Sequence, residues 1–116
     1  VVIEDSIVRG TTLRQLVSLI RQAGAREVHV RVSSPPIISP CYYGMDFPST
    51  NELIAAHKSV TEIRDYLQCD SLAYLSLEGL LKSVVHDQDG FCAACFTGNY
   101  PIPVEDDYSK QVHESL

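Results

Sequence analysis

No stretch of this chain approaches the roughly 18 consecutive apolar residues that a membrane-spanning helix requires. No basic segment followed by an apolar run and a small-residue cleavage site marks a secretory signal. The chain is therefore expected to be soluble and cytoplasmic, without a membrane partner. Basic residues are also scarce: nine lysines and arginines face 15 aspartates and glutamates, a net charge of −6. The shortage is uneven. Residues 1–40 hold five arginines against Glu4, Asp5 and Glu27, a net +2, whereas residues 41–116 hold four basic groups against twelve acids, a net −8. So acidic a second half lacks the cations that neutralise nucleic-acid phosphates, which argues against a nucleic-acid partner. The mildly basic first part suits a small anion. Internal repeats and low-complexity segments are absent. So is the Gly-Lys-Ser or Gly-Lys-Thr of a Walker A loop.

What is there fits one domain or part of one: 116 residues, 45% hydrophobic and 21% charged, enough for a modest core. Residues 1–3 read as the end of a strand without alternation, as in a strand buried on both faces. Thr11 or Thr12 is expected to cap a helix running to Ala23, with Leu13, Leu16, Val17 and Ile20 as one apolar stripe. Gly24 supplies a left-handed position after it, and Arg21 sits in the last turn. Residues 27–32 alternate as a second strand. Strand, helix and strand at this spacing predict a βαβ unit in an α/β fold, a parallel sheet with flanking helices.

Residues 33–40, with three prolines, read as an ordered loop. Ser49-Thr50-Asn51-Glu52 and Ser59-Val60-Thr61-Glu62 both have capping-box spacing, predicting helices over 50–56 and up to Leu67. A short strand over 72–75 and a helix over 77–85, capped by Ser76, follow. Leu77, Leu80, Leu81 and Val84 form its apolar stripe. Residues 86–90 read as a turn and 91–96 as a compact loop. Residues 104–116 are expected to be disordered. Because the chain opens inside an apolar run and offers few strands, it is expected to be the C-terminal fragment of something longer.

The densest chemistry lies in Glu4-Asp5-Ser6-Ile7-Val8-Arg9-Gly10-Thr11-Thr12, where a strand passes through a hydroxyl- and glycine-rich turn into a helix. Unpaired N–H groups and the dipole at a helix N-terminus hold a phosphate. Gly10 permits close backbone approach, while Ser6, Thr11 and Thr12 add hydroxyl donors. Glu4 and Asp5 repel phosphate but suit a cis-diol, or a Mg²⁺ that itself touches a sugar. The pattern points to a phosphorylated ribose. A plain turn with Asp and Thr as caps is the ordinary alternative.

The four cysteines are Cys41, Cys69, Cys92 and Cys95. Cys92-Ala93-Ala94-Cys95 places two thiolates within reach of one metal, and Cys41 follows a proline in another tight loop. Zinc, an iron–sulfur cluster, a redox dithiol and inert thiols all remain open, with composition alone favouring zinc closed by Cys69. Disulfides do not suit a cytosolic chain. His29 on the second strand reads as a structural histidine; His57, His86 and His113 carry no assignment. Tyr42 and Tyr43 are expected to pack around the cysteine loop.

The stretch from Glu4 to Thr12 resembles the phosphoribosyl-pyrophosphate (PRPP) loop of type I phosphoribosyltransferases. More narrowly, the chain is similar to the C-terminal part of the glutamine amidophosphoribosyltransferase family. The further segments are Val-His-Val-Arg-Val-Ser-Ser-Pro-Pro (28–36), Pro-Cys-Tyr-Tyr-Gly-Met-Asp (40–46), Glu-Leu-Ile-Ala-Ala (52–56), Asp-Ser-Leu-Ala-Tyr-Leu-Ser-Leu-Glu-Gly-Leu (70–80) and Phe-Cys-Ala-Ala-Cys-Phe-Thr-Gly-Asn-Tyr-Pro (91–101).

The resemblance implies a partial type I phosphoribosyltransferase core over 1–40, a cysteine-containing helical extension over 41–103, and a tail. Glu4 and Asp5 would bind the ribose hydroxyls and contribute to a Mg²⁺ site, although the family usually has two aspartates there. Ser6, Arg9, Gly10, Thr11 and Thr12 would enclose the 5-phosphate, Arg9 through its backbone if its side chain faces solvent. Cys41, Cys92 and Cys95 would match three of four ligands to a structural 4Fe-4S cluster, the fourth lying upstream. Cys69 would be a buried free thiol. Ser33-Ser34-Pro35-Pro36 would link the core to the cluster region.

The parent enzyme would use glutamine-derived ammonia to displace pyrophosphate from PRPP, giving 5-phosphoribosylamine at the first committed step of purine synthesis. It would assemble as a homotetramer, and the fragment alone would be inactive. A non-catalytic PRPP- or nucleotide-sensing module and a zinc-stabilised interaction domain are the other classes considered.

Overall fold

In a computed structural model, which describes residues 1–84 and 90–104, three short parallel strands carry the architecture. They are β1 (Val2–Glu4), β2 (His29–Val32) and β3 (Ser71–Tyr74), in the spatial order β1-β2-β3. Between β1 and β2 runs helix α1 (Thr11–Gln22). Between β2 and β3 come a 3₁₀ turn (Thr50–Glu52), α2 (Ile54–His57) and α3 (Val60–Leu67). Helices α4 (Leu77–Ser83) and α5 (Ala94–Thr97) follow. Parallel strands need long crossovers, and the expected α/β organisation is present.

The register aligns Val2 with Val30 and Val30 with Leu72, then Glu4 with Val32 and Val32 with Tyr74. On that face Leu13 and Val17 of α1 and Ile63 and Leu67 of α3 pack with Val28, Val30 and Val32 into one core. Each fully buried valine or leucine there contributes about 1.5–3 kcal/mol. Cys69 belongs to the same core. Asp70 fixes the entry to β3, accepting from the Val28 N–H and from Arg21 Nη2, both at 2.7 Å.

Several expectations need correction. Ile3 is 71% exposed rather than buried between two layers, because it lies with Arg31 and Ala73 on the exposed face of the sheet. Gly10, in a left-handed conformation, occupies the N-cap of α1 with no side-chain cap, which puts both threonines inside the first turn. Leu16 is 40% exposed because Leu13, Val17 and Ile20 already face the sheet.

The helix expected over 50–56 breaks at Leu53, whose extended backbone separates the 3₁₀ turn from α2. Its capping box does not form: the Glu52 N–H donates to the Ser49 carbonyl at 2.9 Å, and the Ser49 hydroxyl, instead of accepting it, donates to Glu52 Oε2. The box at Ser59 and Glu62 does form, with both bonds present. The strand over 27–32 is ladder-paired only from His29, and β3 begins one residue earlier than expected. Part of the loop over 91–96 is helical as α5. The expected helix end at Val85, the turn residues 86–89, His113 and nearly all of the tail lie outside the described residues.

Candidate active site

β1 delivers Glu4 and Asp5 to the carboxyl end of the sheet, the end where open α/β sheets bind ligands. The Ser33 N–H donates to the Glu4 carbonyl at 2.9 Å, tying the loop after β2 to the end of β1. The Glu4 carboxylate accepts the Asp5 N–H at 3.1 Å, and the Ser6 hydroxyl donates to Asp5 Oδ1 at 3.2 Å. Partial burial and the neighbouring Asp5 carboxylate push the Glu4 pKa up, against the lowering effect of the Asp5 N–H. Two acids side by side here leave room for a cation or for hydroxyl donors.

Beyond them the chain turns at Gly10, with φ at 78°. The first helical bond of α1 runs from the Arg14 N–H to the Gly10 carbonyl at 2.9 Å. The N–H groups of Thr11, Thr12 and Leu13 therefore stand at a helix mouth that no side chain caps. A cleft of about 270 Å³ opens there, walled by Glu4, Ser6 and residues 7–13. It takes in six of the seven expected site residues; Asp5 is not in its wall. The arrangement combines anion-binding N–H groups, hydroxyls and a carboxylate in one depression.

Arg9 turns its guanidinium away from that role. Its Nε and Nη2 donate to Glu52 Oε1 at 3.1 and 2.9 Å. Sequence reasoning missed Glu52 as a neighbour of this turn, having placed it in a local capping box. Tyr74 shares the row of Glu4, and its hydroxyl is buried without a hydrogen-bond partner among the described residues. Burial pushes its pKa up to about 12.

The cysteine region forms a second assembly. The Ile38 and Ser39 N–H groups donate to the Cys95 carbonyl at 2.9 and 3.1 Å, docking the loop before Cys41 onto the start of α5. The Tyr100 hydroxyl donates to the Pro40 carbonyl at 2.7 Å, and its ring lies 5.2 Å from that of Tyr42, tilted at 57°. Tyr43 donates to the Ile102 carbonyl at 2.7 Å. The tyrosine pair thus packs around the cysteine loop, through a Tyr100 that sequence reasoning did not single out.

Burial, then the Cys41 and Cys92 thiols, push the Cys95 pKa up. Cys41 and Cys92 are thus both close enough to act on Cys95. Cys69 interacts instead with Asp70, Arg21 and Arg64, and burial raises its thiol pKa. It is a buried free thiol in the core under the sheet. Among the described residues no group of three or more His, Cys, Asp or Glu side chains is gathered closely enough to hold a single metal ion. His29 bonds to Ser71 and Glu27, as a structural histidine does.

A scan of protein-family models gives no match to the chain. Individual relatives do match. Amidophosphoribosyltransferase 2, chloroplastic, of Arabidopsis thaliana is 62% identical over 107 residues, which is 91% of this chain. In sequence the chain is similar to amidophosphoribosyltransferases over nine-tenths of its own length. The chain spans only about a fifth of such relatives, 19% of the Arabidopsis protein.

Among solved structures, the glutamine PRPP amidotransferase of B. subtilis complexed with ADP and GMP superimposes with a TM-score of 0.82 at 50% identity. That match covers 92% of this chain and 24% of the other. A structure described as the allosteric regulatory enzyme of purine biosynthesis gives 0.81 at 51% identity, covering 90% of this chain and 23% of that one. The fold is accordingly that of an amidophosphoribosyltransferase segment. Among the described residues no helix is long and apolar enough to cross a membrane.

Proposed function

We propose that this chain is the PRPP-binding segment of an amidophosphoribosyltransferase. The parent enzyme would join glutamine-derived ammonia to PRPP, giving 5-phosphoribosylamine and pyrophosphate in purine synthesis. The observation that carries the reading is the open helix mouth at residues 10–13 beside the carboxylates of Glu4 and Asp5. In this reading the N–H groups of that mouth and the hydroxyls of Ser6, Thr11 and Thr12 hold the 5-phosphate. Glu4 and Asp5 accept the ribose hydroxyls. Arg9 serves through its backbone, its guanidinium being engaged by Glu52.

The raised pKa of Glu4 fits a site that gains from a bound cation, and Glu4 with Asp5 would contribute to holding a Mg²⁺. When bound, that ion supplies charge to the departing pyrophosphate. Ammonia forms the new C–N bond at the ribose as the C–O bond to pyrophosphate breaks, through a transition state with cationic sugar character. This chain's part is positioning and electrostatics, and no acid or base is assigned to it.

The division of the chain into a transferase part over 1–40, a cysteine-bearing part over 41–103 and a tail belongs to the same reading. Cys41, Cys92 and Cys95 are assigned as three ligands of a structural 4Fe-4S cluster. The nearness of Cys41 and of Cys92 to Cys95 supports it, as does the place of Cys69 in the core beside Asp70, Arg21 and Arg64. A cluster is wider than one ion, so ligands spaced beyond single-ion range suit it. A homo-oligomer in the cytoplasm completes the proposal.

The test is Asp5→Asn in the full-length enzyme. The expected result is a fall in kcat/KM for PRPP of about 100-fold or more, with glutamine hydrolysis retained. Unchanged PRPP kinetics would remove the assignment. A wild-type protein that binds PRPP but forms no phosphoribosylamine would favour a sensing module instead.

A further inference from the structure

We propose that Glu52 is a positioning residue for the phosphate-binding turn and acts on it through Arg9. The inference rests on the reading of that turn as a PRPP site. Arg9 donates twice to Glu52 Oε1, and the Ser49 hydroxyl donates to Glu52 Oε2 at 3.3 Å. Both carboxylate oxygens are thus occupied, which orients the carboxylate as well as pairing its charge. Two residues further on, the Ile54 N–H donates to the Val8 carbonyl at 2.9 Å. A Cβ at Gly10 would lie 3.3 Å from Ile54 Cδ1. Residues 49–54 therefore brace the turn from behind through one ionic tie, one backbone tie and one packing contact. The two sides of the ionic tie are 43 residues apart in sequence.

Glu52 is not in the wall of the cleft; it bonds only to Arg9 of that wall. Its effect on a ligand must pass through the conformation of residues 8–10. A turn already held costs less ordering entropy when an anion arrives, so the brace favours binding and leaves the bond-breaking step alone. The pair is also well exposed, with 56% of the Arg9 side chain and 47% of the Glu52 side chain accessible. Exposed pairs add little to global stability, so the effect belongs to the loop rather than to the fold.

The experiment uses the full-length enzyme in four forms: wild type, Glu52→Gln, Arg9→Met and the double variant, with Asp5→Asn alongside. Glu52→Gln is expected to raise KM for PRPP by up to about fivefold, with kcat and the thermal midpoint unchanged. In the Arg9→Met background the same substitution is expected to add nothing, because Glu52 acts only through Arg9. A wild-type KM in Glu52→Gln, or an equal rise in both backgrounds, overturns the proposal. A lowered thermal midpoint, with kcat falling as KM rises, also overturns it, by making Glu52 merely structural. If Asp5→Asn is itself without effect, the PRPP reading fails. If Asp5→Asn is impaired and Glu52→Gln is not, only the role of Glu52 fails.

Discussion

At Gly10 the chain needs a backbone conformation and an empty Cβ position together. Its φ of 78° lies where side chains are strained, and an added Cβ would sit 3.3 Å from both Ile54 Cδ1 and Tyr66 Cε1. The left-handed conformation alone costs a residue with a Cβ about 1–2 kcal/mol. Gly10→Ala is therefore expected to lower the thermal midpoint of the full-length protein, by that amount plus the cost of moving Ile54 or Tyr66. An unchanged midpoint would mean that the turn has another conformation. Glu4 and Asp5 present the complementary case: partial burial, then the Asp5 carboxylate, raise the Glu4 pKa at the end of β1, a cost the protein bears where a bound cation or diol would offset it.

At the scale of elements, two segments of the same pattern had opposite outcomes. Ser59 and Glu62 form their capping box, the hydroxyl accepting the Glu62 N–H and the carboxylate accepting the Ser59 N–H. Ser49 and Glu52 have the same spacing, yet the Glu52 carboxylate is drawn to Arg9, a partner no local window contains. What was legible in the sequence followed short-range rules: the βαβ order, the turn at Gly24, and the stripe of Leu13 and Val17. The strand-to-helix site was legible too, since its residues are contiguous. What was not legible depended on distant partners, including the exposure of Ile3 on the exposed face of the sheet and the docking of residues 38–39 on Cys95.

That docking brings the prolyl loop at Cys41 to the start of α5, which makes the cysteine elements one unit. For this unit, anaerobically purified full-length protein is expected to contain about four irons and four sulfides per chain. Zinc without iron or sulfide would contradict the cluster assignment. It would leave a site of another composition, still without Cys69.

Over the whole molecule, one face of the sheet is packed by α1 and α3, while Ile3, Arg31 and Ala73 lie together on the other, exposed face. The carboxyl ends of the strands therefore gather the first twelve residues, the loop after β2 and the brace at 49–54 at one end of the fold. The chain represents 19% of its Arabidopsis relative, so chemistry at this end is to be measured in the full-length protein. Hydrogen exchange read by mass spectrometry, with and without PRPP and Mg²⁺, addresses the central claim directly. With PRPP 100-fold above its Kd, amides over residues 4–14 are expected to exchange about 100-fold more slowly wherever opening expels the ligand. Unchanged exchange over residues 4–14, with protection confined to other parts of the protein, would contradict the assignment of this turn as the PRPP site.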